Sequence, residues 1–369
     1  MGIWAGVVVP SGGKRSPVVQ HGQNIGCSRS WVTRRRVGSF AGCPRLYIRL
    51  ALPLREKSLI GRIRRISGTS RGIDLGIGDD AAILRVPPGH EMLVTTDFSL
   101  EGIHFRRDWH PAESVGHRCL ARGLSDIAAM GGEPMAVFLS LALPAKLPQK
   151  WVDGFLRGLT ALARKHGVAL AGGDTAASPE GIFADIIVIG SAPVGTAVRR
   201  SAAKPGDSIY VTGELGASAK ALATMYESPK KKLSPKKHPR HFFPEPRLAV
   251  ARYLREHEIA TAMIDLSDGL STDLHHICDE SKVGASISAA LIPCAEGVTL
   301  KQALDGGEDY ELLFTAEAGR KVPRKIAGVA VRRIGEIQRT RGISIWSQSE
   351  GAKEKRSALI PGGWEHFSE

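Results

Sequence analysis

The 369-residue chain has little cysteine, and what it has is scattered. Cys27, Cys43, Cys119, Cys278 and Cys294 form no CxxC pair. This argues against a zinc site or a disulfide framework and makes a reducing, cytoplasmic setting the expectation. No run of about 18 apolar residues occurs, so no membrane-spanning helix and no membrane partner are expected. The apolar start, Met1–Pro10, breaks at once into Ser11-Gly12-Gly13 and lacks the leading charges of a secretory signal. There is no GxxxxGK[ST] phosphate loop and no HRD or DFG kinase set. Any nucleotide must be held by another device.

Acidic residues are missing from two stretches. Residues 1–50 carry eight Lys and Arg and no Asp or Glu. Residues 230–240 carry six more, again without an acid. These two segments account for the formal net charge of +13, and the rest of the chain is close to neutral. The basic excess is therefore local, no known nucleic-acid-binding motif accompanies it, and no nucleic-acid partner is expected. A nucleic-acid-binding protein remains the alternative of a different class. It predicts salt-sensitive binding that disappears when both segments are removed. Residues 1–55 are read as a basic, disordered or loosely attached extension. A targeting peptide and an over-extended gene start are the other two readings of it.

From Glu56 onward, helical and strand patterns alternate. Helices are expected over Glu56–Arg65, Ala112–Met130, Gln149–His166, Ala217–Met225, Pro246–Glu256 and Leu270–Ser281. Strands are expected over Met92–Thr96, Val137–Leu143, Val168–Ala171, Ile186–Ser191, Ser208–Thr212, Thr261–Ile264 and Tyr310–Thr315. Such a mixture implies α/β or α+β domains. Gly195–Pro205 reads as a connection between an N-terminal domain, 56–194, and a C-terminal domain, 195–369. Residues 227–246, rich in Lys and Pro, read as a solvated loop.

The informative feature is a set of aspartates beside Gly, Ser or Thr, expected at loop–helix junctions. They occur in Gly76-Ile77-Gly78-Asp79-Asp80, Thr95-Thr96-Asp97, Leu124-Ser125-Asp126, Gly172-Gly173-Asp174-Thr175 and Asp265-Leu266-Ser267-Asp268-Gly269. Carboxylates, hydroxyls and carbonyls are hard oxygen ligands that suit Mg²⁺. Neighbouring glycines let backbone N–H groups approach a phosphate. Carboxylates gathered together repel one another unless cations lie between them, and those cations would hold a polyphosphate. This outlines a phosphoryl-transfer site. Singly, each aspartate reads more readily as a turn residue or helix cap. Asp126 is the exception, because it sits in an apolar helical stretch where an unpaired carboxylate is costly.

Seven segments, GIGDDAA at 76–82, TTDFSLEGIHF at 95–105, SDIAAMGGEP at 125–134, GGDT at 172–175, AKPGD at 203–207, IDLSDGLSTD at 264–273 and GGEDYELLF at 306–314, occur in this order. In these the chain resembles the thiamine-monophosphate kinases of the aminoimidazole-ribonucleotide synthetase-like superfamily, over roughly residues 56–369. The resemblance implies two α/β domains, with N-terminal sheets forming a barrel across a homodimer. It implies ATP as co-substrate, Mg²⁺ as cofactor and thiamine monophosphate as acceptor. Carried over residue by residue, Asp80, Thr95, Thr96, Asp97, Asp126, Asp174, Asp265 and Asp268 match metal ligands. Gly173, Asp174, Arg200 and Ser267 match nucleotide contacts. His104, Glu308 and Trp364 match contacts to the acceptor. Asp126, Asp268 and Arg200 are the residues expected to carry catalysis.

The expected reaction is direct in-line transfer, in which an anionic phosphate oxygen needs no strong general base. Positioning and charge neutralisation would supply the rate. Another ATP-dependent enzyme of the superfamily, such as aminoimidazole-ribonucleotide synthetase, is the nearest alternative. Three positions depart from the family pattern. Gly123 stands where Asn is common, Arg199–Ala203 replaces an Arg-Ser-Gly-Ala run, and Arg157 stands about where relatives have a nucleotide-contacting Tyr.

Overall fold

Apolar stretches of helix and strand period alternate along the chain, and they fold into a mixed α/β structure. The computed structural model describes residues 54–230, 232–347 and 355–367. The expected basic extension lies outside them, save its last two residues.

The elements in order are α1 (Glu56–Ile66), β1 (Ile73–Leu75), β2 (Ile83–Leu84), β3 (His90–Leu100), α2 (Ala112–Ala129), β4 (Glu133–Pro144), α3 (Gln149–Lys165), β5 (Ala169–Ser178) and β6 (Phe183–Pro193). They continue with β7 (Ser208–Thr212), α4 (Ala217–Glu227), α5 (Pro239–Phe242), α6 (Leu248–Glu256), β8 (Ala262–Asp265), α7 (Leu270–Ser281) and β9 (Gly284–Ser288). The last are α8 (Leu300–Asp305), β10 (Leu312–Ala316), β11 (Lys325–Ile326), β12 (Val329–Gln338), β13 (Gly342–Ser347) and β14 (Lys355–Ala358).

The expected helices and strands are present. The strands run longer than their apolar cores suggest. β3 continues past Asp97 to Leu100, and β5 carries the whole Gly172–Thr175 run as strand. Asp97 and Asp174 therefore sit inside strands, not at loop–helix junctions, while Asp126 lies inside α2, as its apolar helical stretch implies. Polar residues at every second position of a strand are normal when one face is a site, and that hides the strand from an apolar count.

One sheet has four strands in the order β3-β6-β4-β5, antiparallel except for the parallel β4–β5 pair. A second runs β14-β13-β9-β12-β7-β10-β8, with β11 on β12 and its β13–β9 pair parallel, and β1 and β2 form a third, two-stranded sheet. On β3 the residues alternate strictly. Leu93, Thr95, Asp97 and Ser99 face inward, while Met92, Val94, Thr96 and Phe98 are exposed.

α2 lies at the centre. It packs on β3 and β6, against α3, and against α5, α6 and β8 of the following segments. Its partner α3 presents Val152, Phe155, Leu156, Leu159 and Leu162 at helical spacing, all buried. The core around α2 extends through α6 to Met263, Leu312 and Phe314 of the second sheet. A second core lies between α7, α8 and the other face of that sheet.

The Lys/Pro-rich stretch is solvated only in part. Lys230, Lys232, Lys236 and Lys237 are exposed, whereas Leu233, His241 and Phe242 are buried and α5 folds between them. Among the described residues, no helix is long and apolar enough to cross a membrane.

Candidate active site

Four carboxylates from three segments converge. Asp97 comes from β3, Asp126 from α2, and Asp265 and Asp268 from the end of β8 and the turn into α7. Thr95 donates its hydroxyl to Asp126 Oδ2, and Ser125 donates to Asp265 Oδ2 at 2.7 Å. The Asp97 and Asp126 carboxyls are within hydrogen-bonding reach of each other. Burial, and then the Asp126 charge, push Asp97 up to about 7. The same two causes push Asp265 up to about 8. Burial also raises Asp126 and Asp268, against the pull of Arg200. The protein alone does not neutralise this cluster. Arg200 lies in a short 3₁₀ turn, Arg200–Ala202, and its carbonyl accepts from Ser281 Oγ at 2.7 Å.

A fifth carboxylate, Glu308, is in the opposite condition. Arg118 Nη2 donates to its Oε2 at 2.5 Å and Arg122 Nη2 to its Oε1 at 2.6 Å. Burial would raise the Glu308 carboxyl, but the two guanidiniums outweigh it and hold it well below the usual carboxylate range. Glu308 and Tyr310 both have left-handed backbones, with φ of 63° and 50°. Non-glycine residues in that region store strain, which is common where a loop shapes a site. The surrounding residues fix this loop. Asp309 Oδ2 accepts from the Gly216 N–H at 2.6 Å, and Glu311 takes a bidentate contact from Arg247.

Backbone hydrogen bonds join this loop to the acid-bearing turn. The Glu308 N–H donates to the Ser267 carbonyl at 2.8 Å and the Tyr310 N–H to the Leu266 carbonyl at 2.9 Å. On the other side, the Trp364 N–H donates to the Asp268 carbonyl at 3.1 Å. Trp364 is thus anchored by its backbone, while its side chain stays half exposed. His366 packs edge-on to both Trp364 and His104, with ring centroids 5.7 Å and 5.5 Å away. His104 Nδ1 accepts the Leu100 N–H at 3.0 Å, so its neutral ring carries the proton on Nε2. Burial, followed by the Arg122 charge, lowers His104 to about 3 and keeps it neutral.

The structure thus brings Thr95, Asp97, Asp126, Arg200, Asp265, Ser267 and Asp268 together, with His104, Glu308 and Trp364 adjoining them. Three expected ligands are not drawn in. Asp80 is exposed in the loop before β2, and Asp174 is exposed on β5. Thr96 points to the opposite sheet face, where its hydroxyl donates to Asp185 at 2.7 Å. Gly173 beside Asp174 has φ of +143°, and a Cβ there would sit 1.9 Å from the Leu139 carbonyl oxygen. Only glycine lets β5 run this close to β4.

Sequence reading missed Arg118, Arg122, Ser125, Asp273 and His366. The first two had a signal. Two arginines four apart inside an apolar helix, followed four residues later by Asp126, form a charged stripe that must be buried. Asp273 is 1% exposed and accepts the Asp268 and Gly269 N–H groups, closing the start of α7.

The fold and the acid-lined site define an AIR synthase related protein. Residues 78–192 match the family model of its N-terminal domain, and residues 204–345 that of its C-terminal domain. The thiamine-monophosphate kinase of Salmonella typhimurium is 38% identical over 292 residues, covering 76% of this chain and 87% of that protein. The crystal structure of the Stenotrophomonas maltophilia K279a thiamine-monophosphate kinase superposes with a TM-score of 0.69 at 35% identity, covering 78% of this chain and 95% of that one. AaThiL complexed with AMPPCP and TMP superposes with a TM-score of 0.67 at 28% identity, covering 85% and 99%. The chain belongs to the thiamine-monophosphate kinase family.

Proposed function

We propose that this chain transfers the γ-phosphoryl group of ATP to the phosphate of thiamine monophosphate, giving thiamine diphosphate and ADP. The observation that carries this reading is the meeting of four raised aspartates with His104, Glu308 and Trp364. It occurs in a chain similar over most of its length to kinases of this name. A phosphate oxygen of the acceptor forms the new bond to the γ-phosphorus, and the bond to the β–γ bridging oxygen breaks. The acceptor is already anionic at neutral pH, in keeping with the lack of a nucleophile–base pair here.

The donor set fits Mg²⁺. Burial and mutual repulsion leave Asp97, Asp126, Asp265 and Asp268 without enough countercharge, and all their ligand atoms are hard oxygens. These four, with Thr95, are the residues we assign to hold it; Asp80, Asp174 and Thr96 belong to the family's wider set. Bound Mg²⁺ would neutralise and orient the phosphates of the nucleotide. Arg200 provides a planar donor fork on the same side, and Gly173 and Ser267 offer backbone to the nucleotide. His104, neutral with its proton on Nε2, donates to the acceptor phosphate. Trp364 supplies an aromatic face for the cationic thiazolium ring.

We also infer a homodimer joined through the four-stranded sheets. Met92, Val94 and Phe98 are 50%, 62% and 60% exposed on one face of β3, with Phe183 beside them at 45%. An apolar face of this kind is usually covered. Phe98→Asp should yield a monomer by light scattering; an unchanged dimer would remove this interface. Domain limits of 56–194 and 195–369 follow the connection at Gly195–Pro205. The free thiols Cys119, Cys278 and Cys294 are in keeping with a reducing, cytoplasmic setting.

The deciding experiment is ADP release from Mg-ATP with thiamine monophosphate, with the product identified and aminoimidazole-pathway substrate run beside it. Turnover with thiamine monophosphate alone is expected. Mg-ATP binding without such turnover would keep the fold and reject the acceptor.

A further inference from the structure

The acid cluster and the Glu308 contacts share one helix. Arg118, Arg122 and Asp126 stand at i, i+4 and i+8 on α2. They form one stripe, with roughly 6 Å of helix rise between neighbours. Asp126 faces the aspartates. Both arginines face the other side of the site. Arg118 Nη1 donates to the His241 carbonyl at 2.6 Å, and its Nη2 reaches Glu308 and, at 3.4 Å, the His104 carbonyl. Arg122 Nη1 donates to the Phe98 carbonyl at 3.0 Å, and its Nη2 holds Glu308. Their side chains are only 3% and 9% exposed, so they act through what they hold.

We propose that Arg118 and Arg122 are positioning residues, which fix the Glu308 carboxylate and the His104 turn at a set distance from the acid cluster, with α2 as the spacer. This rests on the kinase reading above. Each Glu308 oxygen has its own guanidinium, so the carboxylate cannot turn without losing two charge-assisted bonds. The left-handed backbone at Glu308 and Tyr310 needs such restraint to persist. Arg118 is itself tied down. The His241 segment it holds is fixed by a buried chain, His110 Nε2 to His241 Nε2 at 3.0 Å and His241 Nδ1 to Ser218 Oγ at 2.9 Å. The stretch after the lysine run thereby reaches the acceptor side of the site.

The test is steady-state kinetics on the wild type, Arg122→Lys, Arg122→Met, Glu308→Gln and the Arg122→Met/Glu308→Gln double variant. Thermal melts and Mg-ATP binding report folding. Arg122→Met should raise the KM for thiamine monophosphate roughly 10- to 100-fold, the cost of misplacing a contact by about 1 Å. The KM for ATP should stay within about twofold, and Arg122→Lys should recover part of the loss. The double variant should be little worse than either single one, because both act on one contact. A parallel rise in the KM for ATP, or additive losses, would overturn the proposal. If Arg122→Met fails to fold, Arg122→Lys decides: wild-type acceptor KM would refute a geometric role. No thiamine monophosphate turnover by the wild type would sink the kinase reading and this inference with it.

Discussion

A cluster of four aspartates and the single glutamate that adjoins it show how a carboxylate serves opposite ends. Arg200 acts on Asp126, Asp265 and Asp268, His276 and His366 act on Asp268 as well, Arg122 acts on Asp97, and still all four are raised. Glu308 has two guanidiniums to itself and is lowered. Burial pushes Asp97, Asp126, Asp265, Asp268 and Glu308 up alike, so countercharge makes the difference. The first group, short of countercharge, is the one we assign to hold Mg²⁺. The second is complete within the protein and serves shape.

The comparison can be broken most severely at Asp126. Asp126→Asn should lower turnover by roughly 10³-fold or more while the fold survives. Near-normal ADP release at saturating Mg²⁺ would refute its metal role. Metal removal tests the same side more broadly. Chelation should stop turnover reversibly, and its effect on stability should depend on pH. Asp97 and Asp265 have folded values of about 7 and 8, above their unfolded ones. Their contribution to the metal-free protein is full below the ordinary carboxylate range and is lost as pH rises through 7 to 8. The melting temperature gained from Mg²⁺ should therefore be larger at pH 8 than at pH 5. Equal gains at the two pH values would mean that these carboxyls are not the ligands.

The arginine side should respond differently. Glu308→Gln should raise the KM for thiamine monophosphate roughly tenfold and change Mg²⁺ affinity far less, although it leaves two guanidiniums without their carboxylate. Glu308, lowered in the folded protein, stays ionised above the ordinary carboxylate range, so it should add no step to the activity profile between pH 5 and 9. A step that vanishes in Glu308→Gln would contradict the clamp. The smallest effect is expected between the two groups, at Gly123. A Cβ there would lie 2.5 Å from Val188 Cγ2. Gly123→Ala should cost about 1–3 kcal/mol in denaturant unfolding, and Val188→Ala should restore much of it. The Gly in place of the family's Asn thus has a packing reason.

Much of the site could be read from the motifs. Asp97, Asp126, Asp265 and Asp268 were marked by hard-ligand chemistry and by neighbours that suit phosphate, and the structure brings all four together. Asp80, Asp174 and Thr96 carried the same signals and lie outside the cluster. For Thr96 the reason is the two-residue period of β3, which puts Thr95 and Asp97 on one face and Thr96 on the other. Arg118 and Arg122 escaped notice because a buried arginine looks like a surface one until its partner, here 190 and 186 residues away, is located.

The sequence alone determined the longer helices and the apolar cores of several strands, through their apolar period, and the chemical class of the site, through residue types whose ligand preferences do not depend on context. Only the tertiary structure decided the charge state of each carboxylate. That state depends on which cations come within a few ångströms, and contacts between distant parts of the chain set those distances.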